Sequence, residues 1–496
     1  EIGVRLVGSE MCIRDRSRTM PNSLYVISIY TKSEVFMNFT PKEILDFVEE
    51  NDVKFIRLTF CDMFGNLKNI AIMPDELPRA FEHGIPFDAS CLTSEYCDLL
   101  LVPDITTLSV LPWRPKSGRV VRFFCNLKNL DESDYIGDMR TSLQRDISAI
   151  YSNGYSCEFG TKCEFYLFDL DENGEPTKLP HDHGSYMDVA PLDKCENTRR
   201  EICLSLEEMG LNPKSSCHKH GPGQNEIDFK SNEPVTAADN MVHYKTVVKS
   251  IAAQNGLFAS FMPMPLENEH GSALAISLSV KKNGKSIFGA SADEISNEGK
   301  WFISGILSRT REITAFLNCT TNSYKRFGIG FAPEYVNWSF ENRSQLIRIT
   351  HAVGMPPSIE IRSADACCNP YIAFKLLLAA GFEGINRKDS SMFDTSKKTN
   401  CDNSGNQPLP TSLSEAVSIA KSSEFVKNNL SEEIIKVSRN DNAVKVDACI
   451  LTFSHVILKY VLDNFECKKI GDLFSSNGAN PVYGFEYENR CFAVYM

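Results

Sequence analysis

The order of hydrophobic and polar positions predicts a short helix followed by a hairpin near the start of the chain. Thr40 suits a helix N-cap, and Pro41 suits the first turn that follows it. Apolar Ile44, Leu45 and Val48 then recur at helical spacing. The stretches VKFIRLTF and KNIAIM flank the turn-forming stretch CDMFGN and predict a β-hairpin. A helix followed by hairpins indicates a small α+β domain.

The rest of the chain alternates predicted strands with predicted helices. The strands come from CEFYLFDL, NEIDFK, SALAISLSV and SIEIRSA, and the helices from TRREICLSLEEMG and NPYIAFKLLLAAGFEGI. This alternation predicts a second and larger domain of α/β type. We expect residues 1–36 to be an extension or a mis-called start, 37–138 to form the first domain, and 139–496 the second. The polar stretch NLDESDYIGD is the predicted linker.

Composition narrows the class of protein. A chain of 496 residues exceeds the size of one hydrophobic core. The net charge of −12 argues against partners such as nucleic acid or an anionic membrane surface. No apolar stretch approaches the ~20 residues that a membrane span needs. The 17 cysteines are scattered and form no CxxC, so we expect reduced thiols and a cytoplasmic protein whose partners are small molecules or copies of itself.

Charged residues gather on one face of several predicted strands, because residues two apart in a strand point to the same side. The pairs are Lys162 and Glu164, Glu226 and Asp228, and Glu360 and Arg362. The pattern alone leaves two interpretations open. These residues form either a solvated sheet face or a site at which the strands converge.

The order and spacing of eight motifs favour the second interpretation. They are GIPFDAS, PWRP, GTKCEFYLFD, GPGQNEID, NSYKR, ENRSQLIRI, IEIRSADACCNPYIAF and LPTSLSEA. From about Met37 to about residue 440, the chain resembles bacterial-type (type I) glutamine synthetases. The resemblance implies an α+β protein, with an N-terminal β-grasp domain before a larger catalytic-type domain that has a curved antiparallel sheet and surrounding helices. It also implies a ring-shaped homo-oligomer, a dodecamer of two stacked hexamers, with active sites between subunits.

Family members make γ-glutamyl phosphate from ATP and glutamate, and ammonia then displaces the phosphate. Two divalent ions, Mg²⁺ or Mn²⁺, bridge the nucleotide phosphates. The resemblance implies metal ligands at Glu164, Glu226 and Glu360. It implies catalytic roles for Asp88, Arg326, Arg343 and Arg362. It implies contacts to substrate or nucleotide at Gly271, Ser279 and Arg348.

Other positions depart from the family pattern. Lys162 stands where the family has a second-metal glutamate, and Lys219 where it has a first-metal glutamate. Ala275 and Ser277 stand at two histidine positions, and Phe331 stands at the general-base position. We hypothesise that two ammonium groups replace the two metal ions. Lys162 would then lie nearest Glu360, and Lys219 nearest Glu164 and Glu226.

The histidines near these lysines carry weaker signals. His218 and His220 flank Lys219 but have no third convergent ligand, so we expect hydrogen-bonding residues of a loop. The stretch HDHG at 181–184 predicts an exposed loop.

Three functional hypotheses remain at this point. The first is a degenerate relative with impaired or lost two-metal catalysis, which serves assembly, ligand sensing or structure. The second is an active ligase that makes glutamine or a γ-glutamyl amide with an altered metal site. The third is a regulator that binds glutamate through Arg326 and Arg362 without phosphorylating it.

Overall fold

The computed structural model describes residues 39–92, 97–114, 117–289, 295–340, 342–350, 356–392 and 406–437, together with the backbone of 468–473, 482–487 and 490–495. The expected N-terminal extension, residues 1–36, lies outside the described residues. The helices are α1 Pro41–Glu50, α2 Leu77–His83, α3 Met139–Ser152, α4 Glu196–Glu208, α5 Pro234–Gln254, α6 Asn297–Leu317, α7 Pro370–Arg387, α8 Leu413–Ser422, α9 Glu424–Asn429 and α10 Glu432–Val437.

The strands form three sheets. They are β1 Val53–Cys61, β2 Leu67–Ile72, β3 Ile85–Asp88, β4 Asp98–Pro103, β5 Ser109–Val110, β6 Arg119–Lys128, β7 Tyr155–Leu170, β8 Pro176–Pro180, β9 Pro213–His218, β10 Gln224–Phe229, β11 Leu257–Ser260, β12 Leu274–Lys282, β13 Lys285–Ser286, β14 Trp338–Phe340, β15 Ile347–Thr350, β16 Ser358–Ile361, β17 Lys468–Leu473, β18 Val482–Tyr487 and β19 Arg490–Tyr495. The last three strands pair antiparallel as a separate sheet.

The predicted first helix and hairpin are both present. The Thr40 hydroxyl accepts a hydrogen bond from the Glu43 amide, and the Glu43 carboxylate accepts one from the Thr40 amide at 2.7 Å, which forms a capping box. Strands β1 and β2 pair antiparallel around the predicted turn. The first sheet has the order β2-β1-β6-β4-β3, with β1 and β6 parallel. Its apolar face and α1 share one buried cluster, which includes Ile44 and Val48.

The larger sheet has the order β14-β15-β16-β12-β7-β10-β9. Its ladders are antiparallel except for the parallel pair β14 and β15. The predicted alternation of β12 is present, since Leu274, Ile276, Leu278 and Val280 are buried in the core. Apolar residues of α3, α5, α6 and α7 belong to the same buried cluster. The sheet therefore buries one face against helices and leaves the other face for charged residues.

Neither a disulfide nor a membrane span was found in the described residues. The cysteines whose side chains are described form no disulfide. No described helix combines the length and the apolar content that crossing a bilayer requires.

Helices α6 and α7 pack so closely that their backbones are in contact at two glycines. A Cβ at Gly305 would lie 2.2 Å from the Ala380 carbonyl oxygen, and a Cβ at Gly384 would lie 2.1 Å from the Trp301 carbonyl oxygen. Both obstacles are backbone atoms, which cannot rotate away as a side chain can. The two glycines therefore set the separation of the helices beneath the sheet.

We expect Gly384→Ala to lower the midpoint of thermal unfolding, because the added methyl group forces the two helices apart at a cost of about 1–3 kcal/mol. Asn386→Ala places the same side chain on the exposed face of α7 and is the matched control. It should change stability by less than about 0.5 kcal/mol. Differential scanning calorimetry of both variants checks this, and equal midpoints would contradict the packing argument.

Candidate active site

Cross-strand register brings the charged residues of four neighbouring strands to one face of the larger sheet. Residues directly opposite in an antiparallel ladder have Cβ atoms only about 4.5–5.5 Å apart. The opposite pairs are Glu164 with Glu226, Lys162 with Asp228 and Ala275, and Glu360 with Ser277 and Arg348. The sheet thus sets two carboxylates opposite each other at one point, and a lysine between an aspartate and an alanine at the next.

The ammonium group of Lys219 lies between the two opposed carboxylates. Its Nζ is 3.1 Å from Glu164 Oε1 and 3.2 Å from Glu226 Oε2. The lysine side chain is only 12% exposed. Glu164 also accepts a 2.8 Å hydrogen bond from the Ala273 amide. Lys219 therefore neutralises a pair of like charges that would otherwise repel each other across the ladder.

Glu360 has three cations around one buried carboxylate. Its side chain is 1% exposed, and its Oε2 forms an ion pair of 3.1 Å with Lys162 Nζ. Its Oε1 is 2.5 Å from Arg362 Nη1 and 3.5 Å from Arg348 Nη1. Each lysine therefore pairs with the carboxylates expected from the sequence: Lys162 with Glu360, and Lys219 with Glu164 and Glu226.

Proton affinities in this cluster follow from burial and charge. Burial favours the neutral form of Glu360, but Lys162 and Arg362 outweigh burial and lower its pKa to about 2. Burial and the negative charge of Glu164 raise the pKa of Glu226 to about 7, although Lys219 opposes the rise. Burial disfavours the charge on Lys219, but Glu164 and Glu226 outweigh it and raise the pKa of the lysine. Lys219 is therefore a permanent cation at neutral pH.

These residues do not fit two divalent ions. An ion that bridged Glu164 and Glu226 at the usual 2.0–2.6 Å from oxygen would occupy the place of the Lys219 ammonium. At the second position, Lys162 occupies one side of Glu360. Ala275 and Ser277 provide no imidazole there. The site therefore has too few ligands for two ions, and its lysines already supply the positive charge that balances its carboxylates.

Arg326 is the most deeply buried of the predicted substrate-binding arginines. It is 1% exposed and donates through Nη2 to the carbonyl oxygens of Ser363 and Ala364. A Cβ at Gly271 would lie 2.5 Å from the Arg326 Cγ, so the glycine admits the side chain. Burial lowers the pKa of Arg326, although the charge of Asp365 opposes this. Its Nε has no hydrogen-bond acceptor, which leaves a buried donor at this position.

Three further predicted residues lie farther from the carboxylates. Asp88 ends β3 in the first sheet, is exposed, and accepts a 2.8 Å hydrogen bond from the Ser90 amide. Ser279 lies opposite Glu158, farther along β12 than Ser277. Arg343 is exposed, and its carbonyl oxygen accepts a hydrogen bond of 2.5 Å from Arg362 Nε. The described contacts connect Arg343 to the charged cluster but do not connect Asp88 to it.

An aromatic stack beside Lys219 was not anticipated from the sequence. The rings of Tyr186 and His220 stack at 4.3 Å, and those of His220 and His270 at 4.7 Å. Phe331, which is 46% exposed, approaches the edge of His220 at 5.5 Å. The Lys219 ammonium lies 5.4 Å from the centre of the Tyr186 ring. His220 is thus a stacking residue, and no local pattern connects these four segments of chain.

A second unanticipated feature is a buried network behind His218. The expectation of an exposed loop at 181–184 is wrong for Asp182, which is 1% exposed. Its Oδ1 accepts hydrogen bonds from the Gly223 amide at 2.9 Å and from His218 Nε2 at 2.8 Å. His218 does form hydrogen bonds, as expected, but as the last residue of β9 rather than in a loop. This network fixes the strand end that carries Lys219.

The same network contains a group that resembles a metal site by composition. Asp182, Asp193 and Cys195 place ligand atoms within 4.8 Å of one another. Asp182 Oδ2 accepts a 3.0 Å hydrogen bond from the Lys194 amide, and Asp193 forms a 2.6 Å ion pair with Arg199. Amide donors and cations already satisfy both carboxylates, so the group stabilises the fold.

Comparison with known proteins agrees with this architecture. Residues 52–130 match the family model of the glutamine synthetase β-grasp domain, and residues 137–441 match that of the glutamine synthetase catalytic domain. Glutamine synthetase of Methanosarcina mazei is 41% identical over 409 residues, which cover 80% of this chain and 91% of that protein. The glutamine synthetase of Clostridium saccharobutylicum is 39% identical over 410 residues, covering 80% and 92%.

Solved structures show the same fold at lower identity. A cryo-electron microscopy structure of Plasmodium falciparum glutamine synthetase has a TM-score of 0.73 at 22% identity, and covers 86% of this chain and 99% of that chain. A GmaS/ADP complex has a TM-score of 0.72 at 22% identity, with 84% and 99% covered. The expected β-grasp domain followed by a catalytic domain with a curved sheet is therefore confirmed. The chain belongs to the glutamine synthetase family.

Proposed function

We propose that this chain is a glutamine-synthetase-like protein in which ordinary two-metal catalysis is impaired or lost. The family reaction is the ATP-dependent ligation of ammonia to glutamate, which gives glutamine. The observation that carries the proposal is the position of Lys219 Nζ, 3.1 Å from Glu164 and 3.2 Å from Glu226. In this protein, side-chain ammonium groups supply the positive charge that divalent ions supply in the family.

Electrostatic repulsion disfavours the binding of a metal ion beside either lysine. Two unit charges 4 Å apart interact by ~4 kcal/mol at an effective dielectric constant of 20. A divalent ion beside Lys219 would meet at least that repulsion, and it would also have to displace the lysine from both carboxylates. The same conflict holds for Lys162 at Glu360.

The remaining substitutions remove other parts of the chemistry. Phosphoryl transfer requires metal ions or fixed cations that neutralise the charge developing on the transferred group. Ala275 and Ser277 cannot act as imidazole ligands, and Phe331 cannot accept a proton as a general base. With both metal sites and the base lost, we place the protein among relatives that serve assembly, ligand sensing or structure.

An active ligase with an altered metal site is the second candidate. One observation favours it: the Nε atoms of Arg326 and Arg348 are buried donors without acceptors, as in a site prepared for an anion. With Arg343 and Arg362, these arginines would bind glutamate and ATP, and Gly271 and Ser279 would line the site. Asp88 would prepare ammonia in the site of a neighbouring subunit. The product would be glutamine or a γ-glutamyl amide. A sensor that binds glutamate without phosphorylating it would use Arg326 and Arg362.

Divalent ions should leave the melting temperature of the wild-type protein unchanged, with or without ATP, because both ion positions already hold ammonium groups. The double variant K162E/K219E restores carboxylates at both positions and should gain stabilisation from Mn²⁺. K42E/K230E changes the net charge equally at exposed lysines and should gain none. Thermal melts with 0 and 5 mM Mn²⁺, about 5 mM being well above a typical site affinity, make the comparison. Stoichiometric, stabilising Mn²⁺ binding by the wild type would contradict the proposal.

The second test is turnover. With glutamate, ATP and ammonia, or with hydroxylamine as the amine, ADP release should fall at least ~10³-fold below that of a metal-dependent relative assayed in parallel, since ~4 kcal/mol of lost transition-state stabilisation gives that factor. Comparable turnover would establish the ligase instead. In the absence of turnover, isothermal titration with glutamate and with ATP separates a sensor, which binds, from a structural protein, which does not.

The resemblance also leads us to expect a dodecameric ring in the cytoplasm, where reduced thiols persist. In such a ring, the exposed Asp88 would lie at the site of a neighbouring subunit. Mass photometry of the purified chain should show one species of twelve subunits, as in the family ring. Asp88→Asn should preserve that species, because a charge that serves a neighbour's chemistry is not needed for assembly. A monomer as the main species would contradict the expectation.

A further inference from the structure

Three cationic head groups converge on the single carboxylate of Glu360. Lys162 Nζ lies 3.1 Å from one carboxylate oxygen, and the Nη1 atoms of Arg362 and Arg348 lie 2.5 Å and 3.5 Å from the other. Asp228, opposite Lys162 on β10, is a second carboxylate that interacts with the lysine. The three cations therefore outnumber the two carboxylates with which they are paired.

Solvent reaches the cations of this group more readily than the carboxylate. The Glu360 side chain is 1% exposed, whereas the lysine side chain is 29% exposed and the two arginine side chains are 16% and 14% exposed. The neighbouring strand β12 presents only small side chains here, with Ala275 opposite Lys162 and Ser277 opposite Glu360. A molecule that approaches this end of the sheet from solvent therefore meets positive charge first.

The described contacts use only some of the N–H donors in this group. A guanidinium group has five N–H donors and an ammonium group has three. Arg362 uses Nε for the Arg343 carbonyl oxygen and Nη1 for Glu360. Arg348 makes only the 3.5 Å contact with Glu360, and its buried Nε has no acceptor. A ligand with several oxygen acceptors would satisfy donors that the protein leaves unused.

The arginines also repel one another. Burial lowers the pKa of Arg348, and the charge of Glu360 opposes this. The nearby charges of Arg343 and Arg362 then lower the pKa of Arg348 further. A multiply charged anion relieves this repulsion best, because its oxygens contact several cations at once. Phosphate groups have this property, whereas a carboxylate occupies a single guanidinium fork.

We infer that Lys162, Arg348 and Arg362 bind the phosphate groups of a metal-free ligand, and that divalent ions oppose this binding. The inference rests on the proposed function, since it requires an ammonium group in place of an ion. A Mg²⁺ ion chelated by the phosphates would reduce the negative charge that the cations attract. It would also bring a second cation, with its bound waters, against Lys162. The metal therefore acts with the opposite sign to that in the family reaction, where divalent ions bridge the phosphates.

Isothermal titration of the full chain with tripolyphosphate tests the inference, once in EDTA and once with Mg²⁺ in excess over the ligand. Tripolyphosphate should bind in EDTA, and Mg²⁺ should weaken its binding at least about tenfold. A metal-dependent relative titrated in parallel should show the opposite effect of Mg²⁺. The affinity in EDTA should also fall as ionic strength rises, since the attraction is electrostatic. ATP is titrated in EDTA as well, and the tighter ligand identifies the source of the phosphates as a nucleotide or an inorganic chain.

Variants locate the phosphates. K162Q leaves Glu360 paired with two arginines, and should weaken tripolyphosphate binding in EDTA about tenfold, as expected for one lost charge-assisted hydrogen bond. K42Q removes an exposed lysine on α1 and should leave the affinity unchanged. Thermal melts show whether both variants fold. The comparison of EDTA with Mg²⁺ uses the wild type alone and so does not depend on the stability of any variant.

Four outcomes would overturn the inference. If tripolyphosphate binds in neither buffer while Mn²⁺ leaves the melting temperature unchanged, the inference fails and the proposed function stands. If binding requires Mg²⁺, both fail, because ions then fit the site together with the ligand. Equal affinity in EDTA and Mg²⁺ would contradict the competition between metal and lysine. Unaltered affinity in folded K162Q would place the bound phosphates at another site.

Discussion

Neutralisation of buried carboxylates is the constraint on which the site depends. The antiparallel register of β7 and β10 sets Glu164 directly opposite Glu226. Two like charges at that separation destabilise a sheet unless a cation lies between them. Lys219 is that cation, and Lys162 has the same role at Glu360. The sheet can therefore keep its acidic residues without bound metal, because two ammonium groups balance their negative charge. One belongs to the sheet itself and the other to the segment that follows β9.

The surrounding fold holds these charges in place. Lys219 directly follows β9, whose last residue, His218, is fixed by the buried carboxylate of Asp182. Beneath the sheet, the close approach of α6 and α7 at Gly305 and Gly384 packs the helices that support its apolar face. A lysine head group acts as a fixed charge only when the backbone that carries it is held in place. If the lysine were mobile, the entropy cost of ordering it would cancel the electrostatic stabilisation.

An ammonium group and a divalent ion are alike in charge sign and differ in chemistry. A metal ion polarises phosphoryl oxygens and coordinates several ligands at short distance, whereas an ammonium group offers three hydrogen bonds and one unit of charge. In our proposal, this exchange preserves the electrostatic balance of the folded state and removes the Lewis acid. The arginines at 326, 348 and 362 need no metal to bind an anion. The aromatic stack that includes His220 and Phe331 lies beside Lys219.

The sequence by itself determined the features that depend on neighbouring residues. Capping and helical spacing at Thr40 predicted α1, alternation predicted β12, and collinear motifs predicted the family and the pairing of Lys162 and Lys219 with their carboxylates. Only the tertiary structure decided which distant segments meet. Asp182 and His218 are 36 residues apart, and the rings of His220 and His270 come from different loops. Such contacts depend on the three-dimensional path of the chain, and no local spacing encodes them.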